Sequence, residues 1–278
     1  MSLHTRVLAF LAGASLHAAA AAADLVPLHF VNGLPFVPVA IGAASSQMMF
    51  DSGGALGISV PESTIGQAGS VTLLDRTSKF RDLHGKVYEV KQLVADRVVV
   101  GRTALAPVEG QVHVDWGGAP EGPEAELTRA RHAGAIGLAA FGARPLMFDY
   151  RRRTLSIYAA GESLGEGWQA LRLDYGKEGP SVRLVVSGKP LKFVLDTGAQ
   201  VNLVDAGSLP GDAGEPGSFA ELGEVSDSAG NPLGSLTAQR VQLKGAPFDG
   251  ILGAPFFQRH RVLFDLAGQR LLIAPSLP

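Results

Sequence analysis

The sequence predicts an all-β protein: two pseudo-twofold-related, β-barrel-like lobes with a cleft between them. Three observations lead there. Many short apolar runs are punctuated by 35 Gly and 17 Pro, and long helical periods are few. The stretch "KFVLDTGAQVNLVD" at 192–205 has a looser copy, "MMFDSGGALGISV" at 48–60, so Asp196-Thr197-Gly198 repeats Asp51-Ser52-Gly53 at a distance of 145 residues. The third is a matched pair of blocks, "AIGLAAFGARPLMFDYRRRTLSI" and "ILGAPFFQRHRVLFDLAGQRLLI". They align Gly137, Phe141, Phe148, Asp149, Leu155 and Ile157 with Gly253, Phe257, Phe264, Asp265, Leu271 and Ile273.

Taken in chain order, residues 1–23 read as a secretory signal peptide. His4 and Arg6 precede the apolar "VLAFLAGASL", and Ala21-Ala22-Ala23 offers a small-residue cleavage site before Asp24. An uncleaved anchor or a buried helix is the alternative, but the apolar stretch is shorter than the roughly 20 residues a span needs. The first lobe runs over 24–158, with the strands "LPFVPVAI" and "SQMMF" leading to Asp51. Asp82-Leu-His-Gly85 follows Asp51 by 31 to 34 residues, the spacing at which Asp227-Ser-Ala-Gly230 follows Asp196. Each is followed by an alternating stretch ending in Gly101 or Gly245, with Arg97-Val98 set against Arg240-Val241, and both read as hairpins. Residues 102–134 are longer than their counterpart and hold a Gly/Pro/Glu loop and a helical turn around Glu124 to Arg131; this insertion is either a specificity element or a tolerated surface loop. Asp149 and Asp265 suit turns between strands, and Arg151-Arg152-Arg153 an exposed hairpin turn. A linker at 159–170 leads to the second lobe, 171–278.

Composition narrows the chemistry. The chain has 278 residues, is 46% hydrophobic and 18% charged, and carries a formal charge of −2, so nothing indicates a nucleic-acid partner. Cysteine is absent, which removes disulfides, thiol catalysis and a lipid anchor after the signal. Of the seven His, His4 and His17 lie in the signal, and His29, His84, His113, His132 and His260 have no metal-ligand spacing. There is no H-E-x-x-H, no G-x-S-x-G elbow and no G-x-x-x-x-G-K-[ST] phosphate loop. No metal and no cofactor is expected, and after signal cleavage no membrane association.

The repeated turns have their own chemical logic. Three apolar residues lead into each Asp, and a charge at the end of such a run is costly unless it is paired or used. A pseudo-twofold axis would bring Asp51 and Asp196 together. Two carboxylates about 3 Å apart share one proton, so one serves as base and the other as acid on a water between them. Ser52 and Thr197 can hydrogen-bond across the axis, and Gly53 and Gly198 leave room for close backbone approach.

With Ala135-Ile136-Gly137 and Ile251-Leu252-Gly253 downstream of the two Asp turns, the chain resembles the pepsin and retropepsin superfamily of aspartic peptidases. "LDTGA" at 195–199 is most similar to the retropepsin-type signature. The resemblance spans nearly all of residues 24–278 and implies a bacterial, fused, single-chain retropepsin-like endopeptidase with the aspartic protease fold. It implies Asp51 and Asp196 as the catalytic pair, and Ser52, Gly53, Thr197, Gly198, Ile136, Gly137, Leu252 and Gly253 as supports of the catalytic loops. His84, Gly85, Gly230 and Asn231 would lie on flaps over an extended polypeptide substrate with apolar side chains near the cut bond. Phe80 and Tyr88 do not match the pepsin-type flap tyrosine. Gly54 and Ala199 stand where many pepsins have a hydroxyl residue, which implies higher carboxyl pKa values and a less acidic optimum. The expected protein is a periplasmic or secreted monomer. Two rivals are a catalytically inactive binding module or periplasmic scaffold on the same fold, and a peptidase confined to one periplasmic partner.

Overall fold

The computed structural model describes residues 23–54, 57–81, 86–114, 124–209 and 214–276, so the signal expected at 1–23 lies almost wholly outside the described residues. The chain is mostly β. Alternating apolar runs become strands with one face in the core: in Leu34–Ile41, for example, Val37, Val39 and Ile41 are buried at 2% exposure or less. Among the described residues no helix is long and apolar enough to cross a membrane.

Among the described residues the strands form three sheets. A six-stranded antiparallel sheet has the order Asp24–Pro27, Thr154–Ile157, Leu146–Asp149, His260–Asp265, Arg270–Pro275, Gln169–Arg172. Its first three strands precede the expected linker and its last three follow or overlap it. At the centre Leu146, Met147 and Phe148 pair with Phe264, Leu263 and Val262. A ten-stranded sheet is drawn from the first half of the chain and a seven-stranded sheet from the second. Gln169 and Ala170 already belong to the six-stranded sheet, so the connection is shorter than residues 159–170.

The same pairings surround each Asp. The strand Ala44–Phe50 runs parallel to Ala135–Ile136, and Lys189–Leu195 parallel to Gly250–Leu252. Beyond each Asp, Ile58–Val60 runs parallel to Val108–Val112, and Leu203–Asp205 parallel to Pro232–Val241. Aromatic rings fill the space behind: Phe50 meets Phe148 edge-on at 4.8 Å, and Phe148 meets Phe264 at 5.8 Å and Phe257 at 6.1 Å. Contacts of this kind add about 0.5–1.5 kcal/mol each beyond area burial.

The hairpins differ from the sequence expectation. Val71–Arg81 and Val87–Ala95 form one, with Phe80 stacked on Tyr88 at 5.0 Å; its tip, including His84 and Gly85, lies outside the described residues. The turn carrying Gly230 and Asn231 joins Phe219–Ser226 to Pro232–Val241, yet it is not the counterpart of that hairpin. Val225 and Ser226 pair with Val186 and Val185, the places where Val98 and Val99 pair with Ile41 and Ala40 in the first half. Asp227 accepts a 3.0 Å bond from Gln169 Nε2, while Asp24, at the position matching Gln169, accepts bonds from Arg102 N and Thr103 Oγ1. The Asp227–Gly230 turn therefore matches the turn at Gly101-Arg102. Arg97 sits in a turn at φ 52° whereas Arg240 lies inside a strand, so that pairing also fails.

The longer segment of the first half contributes the strand Val108–Val112 and the helix Glu124–Arg131. Residues 115–123 lie outside the described residues. Leu127 of the helix is 4% exposed and packs with Val31, Leu34, Phe36 and Met49. Asp149 and Asp265 fasten hairpin turns, accepting bonds from Arg152 N at 3.0 Å and Gly268 N at 2.8 Å.

Candidate active site

Each Asp stands where a buried strand gives way to a turn. Asp51 N donates to Ile136 O at 2.9 Å and Asp196 N to Leu252 O at 3.0 Å, so the downstream apolar-apolar-Gly segments fix where the turns begin. Ile136 and Leu252 are fully buried.

The two turns grip each other. Ser52 N donates to Thr197 Oγ1 and Thr197 N to Ser52 Oγ, both at 2.9 Å. Ser52 Oγ then donates to Leu195 O at 2.9 Å, and Thr197 Oγ1 to Phe50 O at 2.6 Å. Each hydroxyl therefore both accepts and donates across the junction, and both residues are 0% exposed. Four interlocked bonds between segments 145 residues apart leave little freedom in how the turns face each other.

Glycine permits that closeness. A Cβ at Gly53 would come within 2.6 Å of Asp196 Cγ, and one at Gly198 within 3.0 Å of Asp196 Oδ1 and 3.4 Å of Asp51 Cγ. Gly54 N donates to Asp51 Oδ1 at 3.1 Å and Gly198 N to Asp196 Oδ1 at 2.7 Å. The two carboxyls stand close enough for each to shift the other's pKa.

Both Asp residues keep a partly exposed surface but are walled by protein elsewhere. Burial raises the pKa of Asp51, against bonds from Gly54, Asp196 and Gly53 that favour its charge. Burial, and after it the charge of Asp51, push Asp196 up to about 8. The charge of Arg131, at the end of the Glu124–Arg131 helix, pulls both downward. A carboxyl pair arranged so holds a single proton over a wide pH range. The Tyr150 hydroxyl is buried without a hydrogen-bond partner among the described residues, and its pKa is well raised by burial and then by the charge of Asp196.

The structure thus brings together Asp51, Ser52, Gly53, Asp196, Thr197, Gly198, Ile136, Gly137, Leu252 and Gly253. Gly230 and Asn231 sit apart from this group, in a turn that Asp227 ties to Gln169 of the six-stranded sheet. Sequence reasoning misses Arg131, Tyr150 and Asn202. Asn202 is six residues past Asp196, 2% exposed, and its Oδ1 accepts Gly253 N at 2.9 Å. A polar residue inside "AQVNLV" is its one trace in the sequence. Among the described residues no group of His, Cys, Asp and Glu is arranged to hold a metal ion. No protein-family model and no curated protein matches the chain.

Proposed function

We propose that the chain is an aspartic endopeptidase of the single-chain, retropepsin-like kind. The observation that carries this reading is the reciprocal exchange between Ser52 and Thr197, which holds two carboxyls in contact at a partly exposed surface. A pair sharing one proton matches the two halves of amide hydrolysis. The ionised carboxylate takes a proton from water as its oxygen attacks the peptide carbonyl carbon, and the protonated one gives its proton to the carbonyl oxygen. Collapse of the tetrahedral adduct breaks the C–N bond as a proton passes to the leaving nitrogen. Neither carboxyl forms a bond to substrate.

A pseudo-twofold relation between two lobes is part of the reading. The central register supports it: exchanging each residue for its counterpart 116 positions away turns the pair Leu146–Phe264 into Val262–Phe148, with Met147–Leu263 at the centre. The substrate would be an extended polypeptide added alongside strands, with apolar side chains near the cut bond. Only the Val71–Arg81/Val87–Ala95 hairpin is proposed as a flap, with His84 and Gly85 at its tip. Export, and action as a monomer without a metal or cofactor, complete the proposal.

The test is to incubate residues 24–278 with a diverse peptide mixture from about pH 3 to 8, beside Asp51→Asn and Asp196→Asn, and map cuts by mass spectrometry. Cuts by the parent that both variants lose, by at least about 10³-fold, are expected. Cuts that survive in both overturn the mechanism, and no cuts in any sample favour a binding module.

A further inference from the structure

Asn202 is at the end of the turn that carries Asp196, and it ties that turn to two other segments. Its Oδ1 accepts Gly253 N at 2.9 Å, its Nδ2 donates to Thr237 O at 3.0 Å, and its main-chain O accepts Gln239 N at 2.8 Å. It is 2% exposed, so none of these bonds is readily exchanged for water.

The two halves solve the same problem differently. The position matching Asn202 in the first half is Gly57, whose main-chain O accepts Gly137 N at 2.8 Å. A side chain is barred there, since a Cβ at Gly57 would come within 2.6 Å of Val108 Cγ1 and 2.8 Å of Glu109 O. In the second half the side-chain amide of Asn202 replaces that carbonyl.

The consequence reaches Asp196 through a short ladder. Asp196 N donates to Leu252 O at 3.0 Å, Ala199 N to Asp196 O at 3.1 Å, and Ala254 N to Ala199 O at 2.8 Å. The turn from 196 to 202 thus wraps the consecutive residues Leu252, Gly253 and Ala254, so closely that a Cβ at Gly253 would lie 2.6 Å from Ala199 O. Asn202 closes the wrap at its far end. We infer that Asn202 is a positioning residue for Asp196, holding the turn closed so that the Asp196 carboxyl stays against Asp51. Asparagine is required because the site needs a carbonyl-type acceptor for Gly253 and, on the same planar group, a donor for Thr237. The peptidase reading enters only in what the positioned carboxyl does.

The test follows the carboxyls directly. In residues 24–278 labelled with ¹³C at the Asp carboxyls, the titration of the Asp51/Asp196 pair is compared by NMR in the parent, Asn202→Ala and Asn202→Asp. Asn202→Ala is expected to relax the turn, lowering the upper midpoint of the pair by about one pH unit or more as Asp196 gains water. Asn202→Asp keeps the shape. While protonated it can accept from Gly253 and donate to Thr237, so it should match the parent in acid and depart from it once ionised. Where peptide cleavage is measured, kcat should fall about 10²-fold in Asn202→Ala, with KM within about threefold. Titration midpoints unchanged in a folded variant overturn the inference, as does a loss of kcat that only tracks the unfolded fraction. If Asn202→Ala does not fold, Asn202→Asp decides alone: parent-like titration at every pH overturns the inference. A parent that cuts no peptide fails the peptidase reading but leaves the NMR comparison valid.

Discussion

The fold resists the charge of Asp196, and that resistance has a sign. Its pKa is about 3.8 as a free side chain and is pushed up to about 8 in the fold. Folding therefore favours the protonated form; the contribution to stability is full below about pH 4 and is lost as pH rises toward about 8. Asp196→Asn keeps the shape and the acceptor for Gly198 N but removes the titration. Its Tm should exceed the parent's at pH 8 by about 2 °C or more and fall less between pH 4 and 8. A parent Tm flat over that interval, or a variant less stable at pH 8, would count against the raised pKa. At this scale the sequence is a good guide wherever chemistry follows from residue type and repetition. Asp51, Asp196, Ser52 and Thr197 mark themselves by recurring 145 positions apart. Asn202 hides because its counterpart is Gly57, and a glycine carbonyl doing the work of an amide side chain leaves no matching letter. Arg131 hides because its reach toward the carboxyls depends on Leu127 settling among Leu34, Phe36 and Met49, a contact set by distant strands.

For whole elements, spacing is a weaker guide than hydrogen bonds. Asp82 and Asp227 each follow a site Asp by 31 residues, yet the strands leading into them pair with different neighbours. Among the described residues the second half has no counterpart to the Val71–Arg81/Val87–Ala95 hairpin, and the shorter chain between Asp205 and Phe219 lets the later turn fall at the same count. Asp227 is then structural. Burial works against its charge, but bonds from Asn231, Gln169 and Ala229 outweigh this and lower its pKa. Its stabilisation is present above the ordinary carboxylate pKa and is lost as pH falls through the lowered value. Asp227→Ala should cost about 1–3 kcal/mol in stability, seen as a drop in Tm at pH 7, and leave KM for a peptide substrate within about twofold. A variant with unchanged Tm and a markedly raised KM would instead make this turn a flap. The strands around each Asp are legible because alternation and the apolar-apolar-Gly segments are local; which strand lies beside which is fixed only by register.

Across the whole molecule, the six-stranded sheet decides how the halves depend on each other. Leu146–Asp149 and His260–Asp265 would each become an exposed edge if the halves parted, and Phe148 would lose its contacts with Phe257 and Phe264. Unfolding should therefore be one calorimetric transition. A chain cut by a specific protease at a site inserted between Gly165 and Glu166 should still elute as one particle of unchanged size. Two separate fragments on gel filtration would show that the linker, and not the sheet, keeps the halves together.

The central register has a further result. Leu146–Asp149 meets His260–Asp265 in a pairing that maps onto itself when the two strands trade places. The backbone pairing alone therefore does not distinguish one strand from its counterpart. What favours the pairing within one chain is the short tether at 159–168, which keeps the second strand at high local concentration beside the first.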